Sequence, residues 1–419
     1  MDILSPEKPM RLPSFSAPAV AQADTAAPSR TRVLWLACLA HALHDGYTDM
    51  IYVLLPVWQA DFALSYGALA MLRGVYAGAM ASLQLPAGHL ARRLGGRATL
   101  AIGTLLAALG YAFAGMSGSL LGLCLALAVS GSGSSTQHPI ASGAVSRAYG
   151  REARGPLSIY NFSGDLGKAA LPAAIALLVT LMPWRHALWM MSALGCAVAV
   201  AIALFLPALP RPRDSPAADA SSDTVSDTAC GGRVAARTGF SLLFAIGVLD
   251  TGVRMGLLTF LPFLLKAKGA STPLLGTALA LVFIGGAAGK FACGWLGARL
   301  GVIGTVLATE GGTAVAIIAV MLCPLAPTMV LLPLLGMMLN GTSSVLYGTV
   351  PELAPPDGTE RAFALFYTGT IGSGAIAPVI YGFLGDRIGI DGATIATALT
   401  ALTIFPLAIA LRRHLVSDK

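Results

Sequence analysis

PALPRPRDSPAADASSDTVSDTACGGRVAART, residues 207–238, is a polar run of Pro, Ser, Asp and Ala inside a chain that is otherwise strongly apolar. Its composition predicts a flexible connector, and the sequence on either side decides what it connects. Of 419 residues, 56% are hydrophobic and 11% are charged, less than half the charge of an ordinary soluble domain. Cutting the chain at its Gly, Pro and charge clusters leaves apolar segments of the length that crosses a hydrocarbon core of about 30 Å as a helix. Twelve emerge, at 33–57, 68–88, 98–116, 119–145, 156–181, 186–207, 239–265, 274–297, 302–323, 328–350, 362–384 and 391–411. The connector 208–238 therefore separates a six-helix half, 33–207, from a second six-helix half, 239–411, with polar tails at 1–32 and 412–419. The predicted class is an all-α polytopic membrane protein.

Charge distribution orients the spans. The segments on one side of the predicted membrane carry only Arg185, Lys266, Lys268 and Arg387, whereas Arg92, Arg93, Arg97, Arg147, Arg151 and Arg154 fall on the other with both tails. By the positive-inside rule both termini are expected in the cytoplasm. That distribution accounts for the net charge of +7 without a nucleic-acid partner. Residues 1–31 are rich in Pro, Ala and Ser and hold no continuous apolar core, so no cleavable signal is expected. The six cysteines lie far apart and suggest neither a disulfide framework nor a C-x-x-C metal site. No Walker loop, G-x-S-x-G elbow or H-E-x-x-H is present, which argues against ATP-driven pumping and hydrolase chemistry, and no cofactor is expected.

The two halves repeat one another weakly. An offset of about 205 to 209 residues sets Asp45 over Asp250, Asp49 over Arg254, Pro56 near Pro262, Ser134 and Ser135 over Ser343 and Ser344, and Pro172 over Pro378. Twelve helices in two related halves resemble the major facilitator architecture, in which a substrate site lies at the midplane between the halves. GHLARRLGGR (88–97) resembles that superfamily's loop pattern G-x-L-a-D-R-x-G-R, with Arg92 in place of Asp; GWLGARLG (294–301) has Ala298 there, and GFLGDRIG (382–389) keeps the acid as Asp386. The resemblance implies gating roles for Gly88, Arg92, Arg93, Gly95, Arg97, Asp386 and Arg387. HALHDGYTDMIYVLLPVWQADFALS (41–65), GSGSSTQHP (131–139) and SIYNFSGDLGKAALP (158–172) are similar to the fosmidomycin-resistance-type bacterial exporters. Ile140, Asp49, Asp165 and Lys168 depart from that pattern.

Charged residues inside the apolar segments carry the functional reading. Each costs about 2.5–3.5 kcal/mol at a helix centre, so it must pair or face water. At 100° per residue His41, Asp45, Asp49 and Tyr52 form one stripe, with His44 at its edge. Asn161, Asp165 and Lys168 share a face, with Asp165 and Lys168 at i, i+3; Asp250 and Arg254 stand at i, i+4; Gln137 and His138 share a side with Ser130 and Ser134. The facilitator resemblance directs these stripes, with Arg73 and Lys290, at the translocation path. Asp250 with Arg254, and Asp165 with Lys168, are alternatively self-neutralising structural pairs. Arg73 and Asp61 could instead snorkel to the surface, and His138 could instead bond a carbonyl freed by Pro139. Two carboxylates one turn apart repel in a dehydrated site, so the group Asp45, Asp49, His41 and His44 is expected to exchange protons.

The expected function is a proton-coupled secondary transporter of a bacterial-type inner membrane, acting by alternating access; the facilitator resemblance implies that it functions as a monomer. Arg73, Gln137, His138, Asn161, Asp165, Lys168, Asp250, Arg254 and Lys290 are its expected substrate-binding residues, and the four cations suggest an anionic or zwitterionic small molecule. Export by proton antiport is what the resemblance implies; uptake by symport is the alternative. H-x-x-H-D with Asp49 also has ligand spacing for a divalent metal, which leaves metal transport or a membrane metalloenzyme as a further reading.

Overall fold

The structure, a computed structural model, describes residues 27–209, 230–354 and 359–415. Those residues are helical with short connections. The helices are α1 (Ala27–Phe62), α2 (Tyr66–Ser82), α3 (Gln84–Leu94), α4 (Gly96–Met116), α5 (Leu120–Ser134), α6 (Gly143–Tyr149), α7 (Arg154–Leu181), α8 (Trp184–Phe205), α9 (Cys230–Ala267), α10 (Thr272–Leu322), α11 (Leu325–Leu353) and α12 (Thr359–Leu411). Among the described residues, seven of these are long and apolar enough to cross a membrane: α4 and α7 to α12, the stretches in α9 and α12 beginning at Thr238 and Ala362. Large apolar side chains such as Leu85, Phe291, Val315 and Val330 stand exposed on the outer surface, as lipid-facing residues do.

Helix boundaries depart from the predicted spans for local reasons. The polar stripe of α1 dilutes its hydropathy, yet the helix runs unbroken from Ala27 through Pro56 to Phe62. Near the predicted fourth span, α5 stops at Ser134, and a π-helical turn, His138–Ser142, carries the chain past Pro139 into α6. Proline lacks the donor that would continue the α ladder, and such bulges are frequent at functional sites. Helix α9 begins at Cys230, inside the predicted connector, because hydropathy marks where a helix enters lipid rather than where it starts. The remainder of that connector and most of the two tails lie outside the described residues.

Helices α10 and α12 are 51 and 53 residues long, about 77 and 80 Å if straight, more than twice a hydrocarbon core. Each turns at a glycine, Gly301 at φ 66° and Gly389 at φ 77°, conformations open to a residue without Cβ. Tyr381 donates to Thr400 at 2.9 Å across the Gly389 turn, and Cys293 and Thr309, from opposite sides of Gly301, both lie against Gly341 of α11. Each long helix thus doubles back as two arms.

Small residues set the packing. The carbonyl oxygens of Pro333 and Met337 sit where Cβ atoms on Gly285 and Gly289 would be, so the Gly285-x-x-x-Gly289 spacing brings α10 onto α11. Gly167 is closed in the same way by the Ala42 carbonyl, joining α7 to α1. At one end of the bundle α2 meets α12: the Asp386 carboxylate accepts from the backbone N–H groups of Tyr66 at 2.7 Å and Gly67 at 3.0 Å. Tyr66 also packs edge-on against Phe260 and Phe263 of α9.

Candidate functional site

A cavity of about 310 Å³ lies between α1, α2 and α7 on one side and α9 to α12 on the other. That volume suits a small molecule. Asp45, Asp49, Arg73, His138, Asp165, Lys168, Arg254 and Lys290 line it. All the intramembrane Lys and Arg singled out from the sequence therefore reach one space, from α2, α7, α9 and α10.

Asp45 is the hub of one wall. Its Oδ2 lies 3.2 Å from Lys168 Nζ and 3.3 Å from His41 Nε2, and its Oδ1 lies 3.7 Å from His138 Nε2. Second contacts fix the two rings: His41 Nδ1 hydrogen-bonds to the Tyr160 carbonyl at 2.8 Å and its ring stacks on Tyr160, while His138 meets His41 edge to face. His138 thus turns toward Asp45, and the Ser142 hydroxyl donates to the His138 carbonyl at 2.5 Å. Asp49, one turn below Asp45, is buried, lines the cavity and forms no ion pair among the described residues.

The opposite wall carries Lys290, whose Nζ lies 2.7 Å from both oxygens of Asp165. Asp165 and Lys168 also touch, at 3.9 Å, as their spacing predicts. A chain of alternating charge, Lys290 to Asp165 to Lys168 to Asp45, thereby crosses from α10 through α7 to α1.

The two arginines are less satisfied. Arg73 is only 3% exposed, so it does not snorkel to the surface; its guanidinium stands over the rings of Tyr52 and Tyr76, at 5.3 and 5.9 Å, with Nε and Nη1 lacking hydrogen-bond partners. Arg254 donates to Ser343 Oγ at 3.0 Å and to Thr251 Oγ1 at 3.4 Å, and its Nε has no partner among the described residues. It makes no ion pair with Asp250 among the described residues. Asp250 lies behind it, buried, beside Glu310.

Other expected site residues are placed elsewhere. His44 gives both ring nitrogens to hydroxyls, Nδ1 to Ser134 and Nε2 to Thr104, each at 3.0 Å, away from the cavity. Gln137 is fully buried and donates to the Tyr160 hydroxyl at 2.8 Å; Asn161 is exposed and outside the cavity lining. Of the expected gating residues, Gly88, Arg92, Arg93, Gly95 and Arg97 surround the break between α3 and α4, where Gly95 takes φ 86°. Asp386 caps the start of α2, at the far end of the α2–α3 pair from that break, and Arg387 follows it. Asp61, the other residue weighed for the surface, pairs there with Arg185 at 3.1 Å. The lining also includes Thr48, Asn340, Tyr347, Tyr367 and Thr370, which sequence reasoning missed. The tyrosines and threonines give no signal on apolar helices, but Asn340, a lone amide in an apolar run, could have been found.

His41, Asp45 and His138 offer three ligand atoms within 4.8 Å of one another, enough to consider a metal. The Lys168 ammonium already shares Asp45 Oδ2, and a second cation there would be repelled.

The sequence matches the profile described as Major Facilitator Superfamily over residues 37–332 and again over 242–418. It is 27% identical to human monocarboxylate transporter 11 over 316 residues, covering 72% of this chain and 65% of that protein. It is 26% identical to the fosmidomycin resistance protein of Escherichia coli (strain K12) over 180 residues, covering 43% of this chain and 44% of that one. The chain thus spans just under two thirds of the first relative and less than half of the second. In fold it is similar to a bacterial homologue of the human lysosomal transporter Spinster in an inward-facing, occupied conformation, with TM-score 0.75 at 16% identity, covering 94% of this chain and 99% of that one. A nucleoside transporter, NupG, gives TM-score 0.72 at 14% identity, covering 91% and 99%. These relatives are transporters, which speaks for transport rather than enzyme chemistry. The cavity ringed by helices and the profile match over most of its length lead to one assignment: the chain belongs to the Major Facilitator Superfamily.

Proposed function

We propose that this protein is a proton-coupled secondary transporter of a small organic anion. One observation carries the reading: two arginines, buried Arg73 and half-buried Arg254, face the same cavity with buried guanidinium N–H groups left without partners among the described residues. Leaving such donors unpaired away from water is costly, and a carboxylate or phosphonate is the ligand whose geometry matches a guanidinium fork. The acids of the lining are largely committed, Asp45 to Lys168 and Asp165 to Lys290, so a bound anion would meet net positive charge.

The same geometry supports one sign of coupling. A carboxylate substrate and Asp45 compete for Lys168. Protonating Asp45 frees the ammonium for the substrate, so proton and anion bind together, which is the logic of co-transport. Export by proton exchange, implied by likeness to the fosmidomycin resistance protein, is the second reading; it fits a zwitterion whose cationic group pairs with Asp49, so that proton and substrate exclude one another.

Alternating access would rock residues 33–207 against 239–411 as two six-helix halves, the twelve spans being reached by counting α2 with α3 and α5 with α6 as one span each and the arms of α10 and α12 separately. The connector 208–238 and the tails 1–32 and 412–419 would lie in the cytoplasm, with the protein a monomer in a bacterial-type inner membrane. The excess of Lys and Arg on that side supports this placement.

Transport by the purified protein in proteoliposomes with an imposed pH gradient tests the reading. A panel of monocarboxylates, phosphonates, zwitterions and organic cations should give accumulation of anions on the alkaline side. Preference for cations, or accumulation independent of the gradient, would overturn it.

A further inference from the structure

Glu310 lies in the middle of the second arm of α10, is 1% exposed, and takes no part in the cavity lining. Its Oε1 accepts from Thr342 Oγ1 of α11 at 2.7 Å. Its carboxyl stands within hydrogen-bonding reach of that of Asp250 on α9, itself 3% exposed. Among the described residues no nitrogen or hydroxyl donates to Asp250 Oδ2. We propose that Asp250 and Glu310 share one proton, forming a proton-binding site in the wall of α9, α10 and α11, separate from the Asp45 network and linked to the cavity through Arg254.

Elementary electrostatics requires the shared proton. Two ionised carboxylates at contact, about 3 Å, repel by about 5 kcal/mol even at an effective dielectric constant near 20. Neither is exposed to water that could screen them. One hydrogen between them turns that repulsion into a hydrogen bond, and with it in place the pair carries a single negative charge. The groups around the pair are consistent with that count. Arg254, one turn from Asp250 on α9, supplies one positive charge. From α11 come Thr342 and Ser343, neutral hydroxyls, and the phenol of Tyr347; Thr309 on α10 bonds to Thr342 at 2.7 Å. No Lys or His contacts the pair among the described residues.

Arg254 connects this site to transport. With the cavity empty its charge balances the pair. An anion bound to Arg254 takes up that balance, and the pair then holds its proton more tightly. Proton and anion therefore favour one another here too, on the wall opposite Asp45. This step rests on the anion reading above; the shared proton does not.

Infrared difference spectra of the full-length protein in lipid, exchanged between H2O and D2O, read the proton directly. The carbonyl stretch of a protonated carboxyl should be present in the wild type and lose intensity in Glu310→Gln, where Asp250 is left ionised beside Arg254. In Asp250→Asn the band should persist at a shifted frequency, because Glu310 stays buried against Thr342. Both substitutions keep side-chain shape, and a monodisperse elution profile checks folding. Gradient-driven accumulation should fall in Glu310→Gln with substrate exchange retained. Identical bands in wild type and Glu310→Gln would overturn the proposal. A band lost in Glu310→Gln in a protein whose transport ignores the pH gradient would keep the shared proton and instead sink the proposed function.

Discussion

Lys168 of α7 holds its ammonium 3.2 Å from Asp45 of α1 and 3.9 Å from Asp165, one turn back on its own helix. A cation shared between two acids is poised to change partners. Lys168→Gln should therefore leave Asp45 uncompensated and destabilise the protein by up to about 3–5 kcal/mol, the cost of breaking a pair in a dry site. Both groups face a cavity, so the loss should fall below that ceiling. Asp45→Asn combined with Lys168→Gln should recover most of the thermal stability while abolishing gradient-driven transport. Melting curves of the wild type and both variants in one detergent check the first part; a double variant no more stable than Lys168→Gln would contradict it.

How much of this was written in the sequence depends on whether partners share a helix. Asp165 with Lys168, and Asp45 with Asp49, are legible because 100° per residue fixes which side chains share a face. Lys290 with Asp165, and Glu310 with Asp250, are not, since they depend on how neighbouring helices are rotated, and one sequence does not encode that rotation locally. His44 illustrates the limit: at the edge of the stripe in α1, it is turned to Ser134 and Thr104 by the close approach of α4 and α5. Arg73 was ambiguous for the same reason, and its burial between Tyr52 and Tyr76 is what decides it. Helix ends at Gly and Pro were readable to within a few residues, whereas the start of α9 at Cys230 lies in polar sequence that hydropathy does not register.

Arg73 separates charge from geometry. Arg73→Lys keeps the positive charge but loses the planar fork, and Arg73→Gln loses both. If a carboxylate takes up the unpartnered Nε and Nη1, Arg73→Gln should weaken its binding by about 2–3 kcal/mol, roughly 30- to 150-fold. Arg73→Lys should fall between, because a point charge replaces a bidentate contact. Equilibrium binding of the best substrate from the panel measures both; equal affinities in wild type and Arg73→Gln would remove Arg73 from the site.

Gly167 tests packing without touching the charged groups. A Cβ there would occupy the space of the Ala42 carbonyl oxygen, a backbone atom that cannot swing aside. Gly167→Ala should push α7 from α1 at about 1–3 kcal/mol, the usual cost of overpacking, and lower the melting temperature. Gly88→Ala, at a position where a Cβ meets nothing within 4 Å, is the matched control and should melt as the wild type does.

Asp386 and the start of α2 make a contact that should depend on conformational state. The carboxylate accepts from two of the N–H groups that every helix start leaves unbonded, where the helix dipole also favours negative charge. Gly67 leaves no room for a Cβ between Asp386 and Phe383, so the two helices are seated closely. Asp386→Asn keeps the shape and one weaker acceptor; Asp386→Ala removes both. If rocking of the two halves separates α2 from α12, each substitution should favour the separated state, Asp386→Ala more strongly. Val379, which packs against Gly74 across this contact, reports the separation: in a cysteine-free background, Val379→Cys should label faster with a membrane-impermeant maleimide when Asp386→Ala is added. An unchanged labelling rate, with the protein correctly folded, would show that the cap does not hold this end closed.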